Sequence, residues 1–140
     1  MHEGYLRALR EPGRRPSDEL VAEVPTFTVD AGRAGAARLM ELPAFPTAIV
    51  AGSAVHAVGV LNEAKARGLD VPGDVAIVGY TDPELAALVD PPLTMVSVPA
   101  RAAGARAMRT LHRLMAGERV RPRRAVLGAD LVLRESCGSH

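Results

Sequence analysis

Two short apolar segments on either side of one helical segment constrain the fold of this 140-residue chain more than any other feature. Residues 47–51 (T-A-I-V-A) and 75–80 (V-A-I-V-G-Y) are almost free of polar side chains, which is typical of strands covered by helices on both faces. Residues 54–67 predict a helix between them, and Gly68 is placed to end it. This pattern indicates parallel strands joined by a right-handed crossover.

The alternation of strands and helices continues on both sides of this unit, with strands about 25 residues apart, and it predicts an α/β fold with parallel strands. Asp30 is expected to cap the helix that follows it, and Asp82, just before Pro83, to cap another. The remaining expected elements are a helix over 2–11, an edge strand or extended loop over 21–29, a helix over 31–42, a short helix over 83–88, a strand over 93–98, a helix over 99–116 and a strand over 125–133.

Length and composition restrict the class of protein. A chain of this length forms one compact domain, and its 48% hydrophobic content excludes wholesale disorder. No stretch of about 18 apolar residues lacks a charge, so no membrane span is expected. The polar segment after Met1 does not resemble an export signal, and a single cysteine, Cys137, excludes a disulfide within the chain. A cytoplasmic location is therefore predicted.

Positive charge is concentrated in residues 101–124, which carry eight arginines and one glutamate. Arg106, Arg109 and Arg113 fall on one face of the predicted helix, as a phosphate-binding patch would. A solvated helix face gives the same pattern when the opposite side, which includes Leu111, packs on a sheet. The second interpretation is favoured, because no helix-turn-helix or aromatic platform accompanies the arginines.

Sequence motifs of common enzymes are missing. The run A-G-S-A-V around Ser53 is not a nucleophile elbow, and neither G-x-G-x-x-G nor a P-loop occurs. The four histidines lack the spacing of metal ligands. No catalytic activity, cofactor or metal is therefore expected.

A candidate binding site lies where the two apolar strands end. Ligands of open α/β sheets bind at the carboxyl ends of the strands, beside helix N-termini. If the two strands are neighbours, Ser53, Thr81 and Asp82 point into one crevice, where two hydroxyls and a carboxylate suit a neutral, hydroxylated ligand. Ser53 and Asp82 could equally be helix caps and nothing more, and the sequence leaves both interpretations open.

Several runs, in this order, resemble the effector-binding domain of the LacI/GalR family of bacterial transcription regulators. They are P-T-A-I-V-A (46–51), A-V-G-V-L (57–61), G-L-D-V-P-G-D-V-A-I-V-G-Y (68–80), D-P-P-L-T-M-V (90–96) before a helix containing Gly104, and L-V-L-R-E-S-C-G (131–138). Each run alone is weakly specific, but the ordered set covers nearly the whole chain.

The resemblance implies an incomplete periplasmic-binding-protein-like type I fold, in which two α/β lobes enclose a small-molecule effector. Residues 1–140 are expected to form a partial effector domain, with 1–90 and 122–140 in the C-terminal lobe. The strand that begins at Leu93 and the helix after it are expected to cross to the N-terminal lobe, within the segment 91–121. Such regulators are homodimers that contact operator DNA through a helix-turn-helix head, which is expected to be absent from this chain. Effector binding changes operator affinity, an allosteric coupling between two sites.

The chain departs from the family pattern in three ways. It is less than half the usual length, so apolar sheet edges should lack partners. Ser53-Ala54 replaces the usual Asn-Asp, and Thr81 replaces an Asp, which points to a smaller, less polar or absent ligand. Met1 occupies the place of a ligand-contacting arginine before Gly4-Tyr5, and the resemblance makes Tyr5 a fourth ligand contact.

Three functions remain as hypotheses. The first is the effector-sensing part of a LacI/GalR-type regulator, and the alternative is part of a periplasmic-type solute-binding protein. An upstream helix-turn-helix would favour the first, and a secretion signal the second. A flavodoxin-like module is less consistent with the sequence, because neither residues 52–54 nor 81–82 are rich enough in glycine to form a phosphate-binding loop.

Overall fold

The computed structural model describes residues 2–11, 17–122 and 124–138. The helices in these ranges are α1 (His2–Arg10), α2 (Val29–Met40), α3 (Ala54–Ala66) and α4 (Ala100–Met115). The strands are β1 (Ala48–Val50), β2 (Ala76–Tyr80), β3 (Thr94–Ser97) and β4 (Asp130–Val132), and single 3-10 turns cover Asp18–Leu20, Glu84–Ala87 and Glu135–Cys137. Among these helices, none is long and apolar enough to cross a membrane.

The four strands form one sheet in the order β1-β2-β3-β4. β1 pairs with β2 and β2 with β3 in parallel, as predicted, which confirms the α/β class. β4 runs antiparallel to β3, with Met95 opposite Val132, so the expectation of parallel strands throughout is wrong for this strand. A parallel return needs a crossover that covers the sheet, and α4 does not provide one, because none of its residues is buried.

The core lies between the sheet and two stacked helices. α3 packs against β2, and α2 packs against α3. Ile77, Leu93 and Met95 are fully buried in the sheet layer. Glycine allows the two helices to touch, because a Cβ on Gly59 would lie 2.3 Å from the Val29 carbonyl oxygen. This packing fixes the N-terminus of α3 beside the carboxyl end of β1.

Residues 21–28 contain no strand, since Pro25 and the bends around it leave the extended segment without a sheet partner. The next helix begins at Val29, earlier than predicted, and its cap is Thr28, whose Oγ1 accepts a hydrogen bond from the Ala31 N–H at 3.1 Å. Asp30 is therefore not the cap. It lies in the first turn, where a carboxylate is favoured by the helix dipole.

The apolar side of α4 does not pack on the sheet, contrary to the prediction from its periodicity. Met108, Leu111 and Met115 are exposed by 65%, 48% and 79%. α4, residues 120–122, Ala125 and Leu127 instead line an open groove of about 680 Å³. β3, by contrast, lies in the same sheet as β1 and β2, so the segment that leaves this sheet lies between β3 and β4. The division into two lobes stays a prediction.

We expect the 140-residue chain to self-associate, because contiguous exposed apolar surface favours association. Replacing Met108, Leu111 and Met115 together by Gln should shift the mass measured by light scattering toward that of a monomer. Replacing three arginines of the same helix (Arg101, Arg106 and Arg109) by Gln is the matched control and should leave association in place. A wild-type chain that is monomeric at high micromolar concentration would contradict this prediction.

Candidate functional site

The carboxyl ends of β1 and β2 lie side by side. The strands pair in parallel, with Val50 opposite Val78, and the Ala51 N–H donates to the Val78 carbonyl at 2.8 Å. The residues that follow, Ser53 after β1 and Thr81 after β2, therefore emerge at the same edge of the sheet. The condition on which the sequence-based site depended, that these strands are neighbours, is met.

Ser53 is the N-cap of α3. Its Oγ accepts a hydrogen bond from the His56 N–H at 3.2 Å, so the capping interpretation is confirmed for this residue. A serine hydroxyl has one proton to donate as well as its acceptor capacity, and the cap uses only the latter. The proton can therefore be offered to a ligand, but the ligand contact itself stays a prediction.

Ser53→Ala is expected to reduce the free energy of unfolding by about 1 kcal/mol, because the cap is lost. Ser53→Asn should retain most of this stability, since Asn caps helices as well as Ser does. Urea denaturation followed by circular dichroism measures both effects. Equal losses for the two variants would show that the serine contributes something other than a cap.

Thr81 follows β2, and its backbone lies in the left-handed region with a φ of +64°, which residues other than Gly rarely adopt. Its side chain is exposed, and its Oγ1 donates to the carbonyl of Tyr80 at 2.5 Å. The hydroxyl proton is thus occupied, and the oxygen presents only acceptor capacity to a ligand.

Asp82 is not a helix cap. The following turn, Glu84–Ala87, has Pro83 at its N-cap position without a side-chain cap, and it is a short 3-10 helix instead of the expected α-helix over 83–88. The Asp82 carboxylate instead accepts two hydrogen bonds from the Arg134 guanidinium, at 2.8 and 3.0 Å. Both side chains are mostly buried, with 15% and 18% of their surfaces exposed. The carboxylate charge is therefore matched within the protein.

Tyr5 lies on α1, where its side chain is half-buried. Ser53, Thr81 and Asp82 follow the neighbouring strands β1 and β2 at one edge of the sheet, whereas Tyr5 belongs to a separate element. Its ligand contact stays a prediction.

The sequence reasoning missed Phe27. Its side chain is 78% exposed, and its ring stacks on the imidazole of His56, with centroids 5.3 Å apart and planes 15° from parallel. The His56 Nε2 lies 2.8 Å from the Thr26 carbonyl, which can only accept, so this nitrogen carries a proton. His56 also donates its backbone N–H to Ser53, so Phe27 lies near the first turn of α3. An aromatic residue just before a predicted helix was the signal that could have indicated this stacking, but the prediction placed Phe27 in an edge strand or extended loop.

A family model described as a periplasmic binding protein-like domain matches residues 1–137. The chain belongs to this family. The expected fold class is therefore confirmed, including its incompleteness, since similar solved structures are about twice as long.

The relatives within this family are LacI-type transcription regulators, as the resemblance predicted. The transcriptional repressor CytR of Escherichia coli K12 is 36% identical over 134 residues, which are 96% of this chain and 39% of CytR. A structure of the transcriptional regulator CelR with cellobiose is similar with a TM-score of 0.90 and 35% identity, over 96% of this chain and 41% of CelR. A LacI family regulator from Mycobacterium smegmatis has a TM-score of 0.84 and 32% identity, over 96% of this chain and 50% of its own. The chain spans about two fifths of the length of the curated relatives that it matches.

Proposed function

We propose that this chain is the effector-sensing part of a LacI/GalR-type transcription regulator, which binds a small, uncharged, hydroxylated molecule. The observation that carries the proposal is the cluster at the carboxyl edge of the sheet. There, Ser53 and Thr81 emerge from neighbouring strands, and the exposed ring of Phe27 lies near Ser53. The similar regulator CelR has been solved with cellobiose, an uncharged sugar, which supports this class of ligand.

The chemistry of the edge favours a neutral ligand with one apolar face. Ser53 offers a proton and Thr81 offers an acceptor, so together they can hold a ligand hydroxyl or carbonyl and a neighbouring donor. Arg134 balances the charge of Asp82, so the edge lacks a free charge from this pair to attract an ion. One face of Phe27 is covered by His56, and the other is open to the C–H face of a sugar ring or to a base.

In the whole regulator, we infer, residues 1–90 and 122–140 belong to one lobe and the helix within 91–121 to a second. The exposed apolar face of α4 supports this division, because such a face is buried when a lobe is complete. The exposed side chains of Leu85 and Leu88 suit a homodimer contact. Operator DNA would be bound by the helix-turn-helix part that gives the relatives their description, in the cytoplasm.

A thermal-shift screen tests the ligand class. The 140-residue chain is heated with uncharged sugars, including cellobiose, with nucleosides, and with sugar phosphates as charged comparisons. A ligand present at 100 times its dissociation constant stabilises the folded state by about 2.7 kcal/mol, which raises the melting temperature measurably. We expect stabilisation by an uncharged compound and none by the charged ones.

Phe27→Ala should then weaken binding of the stabilising compound about fivefold, because an aromatic platform contributes about 1 kcal/mol to binding. Val126→Ala is the matched control, since Val126 is similarly exposed, by 79%, but lies after α4, on a different segment from Phe27. Isothermal titration measures both affinities. Stabilisation by charged compounds alone, or equal losses in both variants, would contradict the proposal.

A further inference from the structure

We propose that Arg134 is a positioning residue, which holds Thr81 in its left-handed conformation through Asp82 and so ties the ligand-facing loop to the segment that follows β4. The importance of this contact for ligand binding rests on the proposed function. The contact itself rests on the geometry of three elements: the loop after β2, the start of β3 and the segment after β4.

Arg134 binds the loop after β2 through two parallel hydrogen bonds. Its Nη1 and Nη2 donate to separate oxygens of the Asp82 carboxylate, and Nη1 also donates to the Leu93 carbonyl at 2.6 Å. A two-pronged contact of this kind fixes orientation as well as distance. Asp82 therefore has little freedom to rotate, and the peptide that joins it to Thr81 is held with it.

Arg134 is itself anchored by hydrogen bonds to the buried side chain of Thr94. Its backbone N–H donates to Thr94 Oγ1 at 2.9 Å, and its carbonyl accepts from the same hydroxyl at 3.0 Å. Two residues later, Ser136 accepts from the Thr94 N–H and donates to the Ile77 carbonyl, at 2.8 and 2.6 Å. Thr94 and Ser136 are fully buried, so the segment that carries Arg134 is fixed to both β2 and β3.

This rigid attachment bears on the backbone conformation of Thr81. A β-branched side chain is disfavoured at a φ of +64°, and such a conformation persists only where surrounding contacts enforce it. Asp82 follows Thr81 in sequence, and its side chain is held by the ion pair with Arg134. Arg134 lies two residues after the end of β4, so the loop that carries the Thr81 hydroxyl is tied to the end of the strand that returns from α4.

The experiment asks whether the backbone of Thr81 is strained only while the ion pair between Asp82 and Arg134 is intact. Thr81→Gly removes the strain, so it should stabilise the 140-residue chain more in the wild type than in an Asp82→Asn/Arg134→Met background. That background removes both charges together and leaves no buried carboxylate unpaired. The effect of Thr81→Gly on the melting temperature should differ between the two backgrounds by about 3 °C or more.

Arg67→Met provides the control background, because Arg67 also pairs with a carboxylate, that of Glu63 at 2.9 Å, but at the far end of α3. In the Arg67→Met background, Thr81→Gly should change the melting temperature by the same amount as it does in the wild type. An equal effect in all three backgrounds would overturn the proposal, since Arg134 would then only stabilise the fold.

A second measurement applies if the double variant does not fold. Arg134→Lys keeps the charge but cannot form two parallel bonds. The ¹³C chemical shifts of Thr81, which report its backbone conformation, should move toward those of ordinary extended or helical residues in this variant. Unchanged shifts would overturn the proposal. Both experiments use the chain without ligand, so their failure is distinguishable from failure of the proposed function.

Discussion

Gly59→Ala is expected to lower the free energy of unfolding by about 3 kcal/mol. A Cβ at this position would lie 2.3 Å from the Val29 carbonyl oxygen, 2.7 Å from the Arg33 nitrogen and 2.8 Å from the Cα of Gly32. All three are backbone atoms of α2, so the clash cannot be relieved by rotating a side chain. The two helices must separate, and the core beneath them loses its packing.

Gly104→Ala is the matched control, because Gly104 also lies within a helix but a Cβ there meets nothing within 4 Å. It should raise the free energy of unfolding by about 0.5–1 kcal/mol, as alanine favours the helical backbone. Urea denaturation followed by circular dichroism at 222 nm measures both variants. Similar stabilities for the two would show that α2 and α3 are not in close contact at Gly59.

Ser136→Ala is expected to cost about 3 kcal/mol, although it removes a single oxygen atom. Ser136 Oγ joins the Thr94 N–H to the Ile77 carbonyl, and Ser136 and Thr94 are fully buried. Without the hydroxyl, the N–H and the carbonyl each lose a partner, at a cost of about 1–3 kcal/mol for a buried group. The link between the segment after β4 and the middle of the sheet is also lost.

Ser17→Ala is the control for Ser136→Ala. Ser17 precedes the 3-10 turn at Asp18–Leu20 but makes no capping hydrogen bond with its side chain. Its replacement should change the free energy of unfolding by less than about 0.5 kcal/mol. If both serine variants were equally stable, the buried connection through Ser136 would be absent in solution.

Much of the fold could be predicted from the sequence because its strongest signals are local. β1, α3 and β2 fall within the predicted segments, since apolar runs and a terminating glycine act over a few neighbouring residues. The direction of β4 and the exposure of the apolar face of α4 could not be predicted in this way. Both depend on where the chain goes after β3, and amphipathic periodicity does not reveal which surface, if any, covers a helix.

The candidate site was predictable in position but less so in its contacts. Parallel strands end at one edge, and this placed Ser53 and Thr81 together. The partner of Asp82 could not be predicted, because Arg134 lies 52 residues away in sequence and joins it only through the fold. Phe27 was missed for a similar reason, since its stacking on His56 depends on how α2 and α3 pack.

Amide NMR of the ¹⁵N-labelled chain, titrated with cellobiose and with the compound that stabilises it most, tests the central claim most directly. The proposed function predicts that the resonances of Phe27, Ser53 and Thr81 shift in a saturable way. Uncharged ligands should produce these shifts, and the resonances of α4 should change least. Saturable shifts confined to α4 and residues 120–127 would contradict the proposed site, as would the absence of shifts with every uncharged compound in the screen.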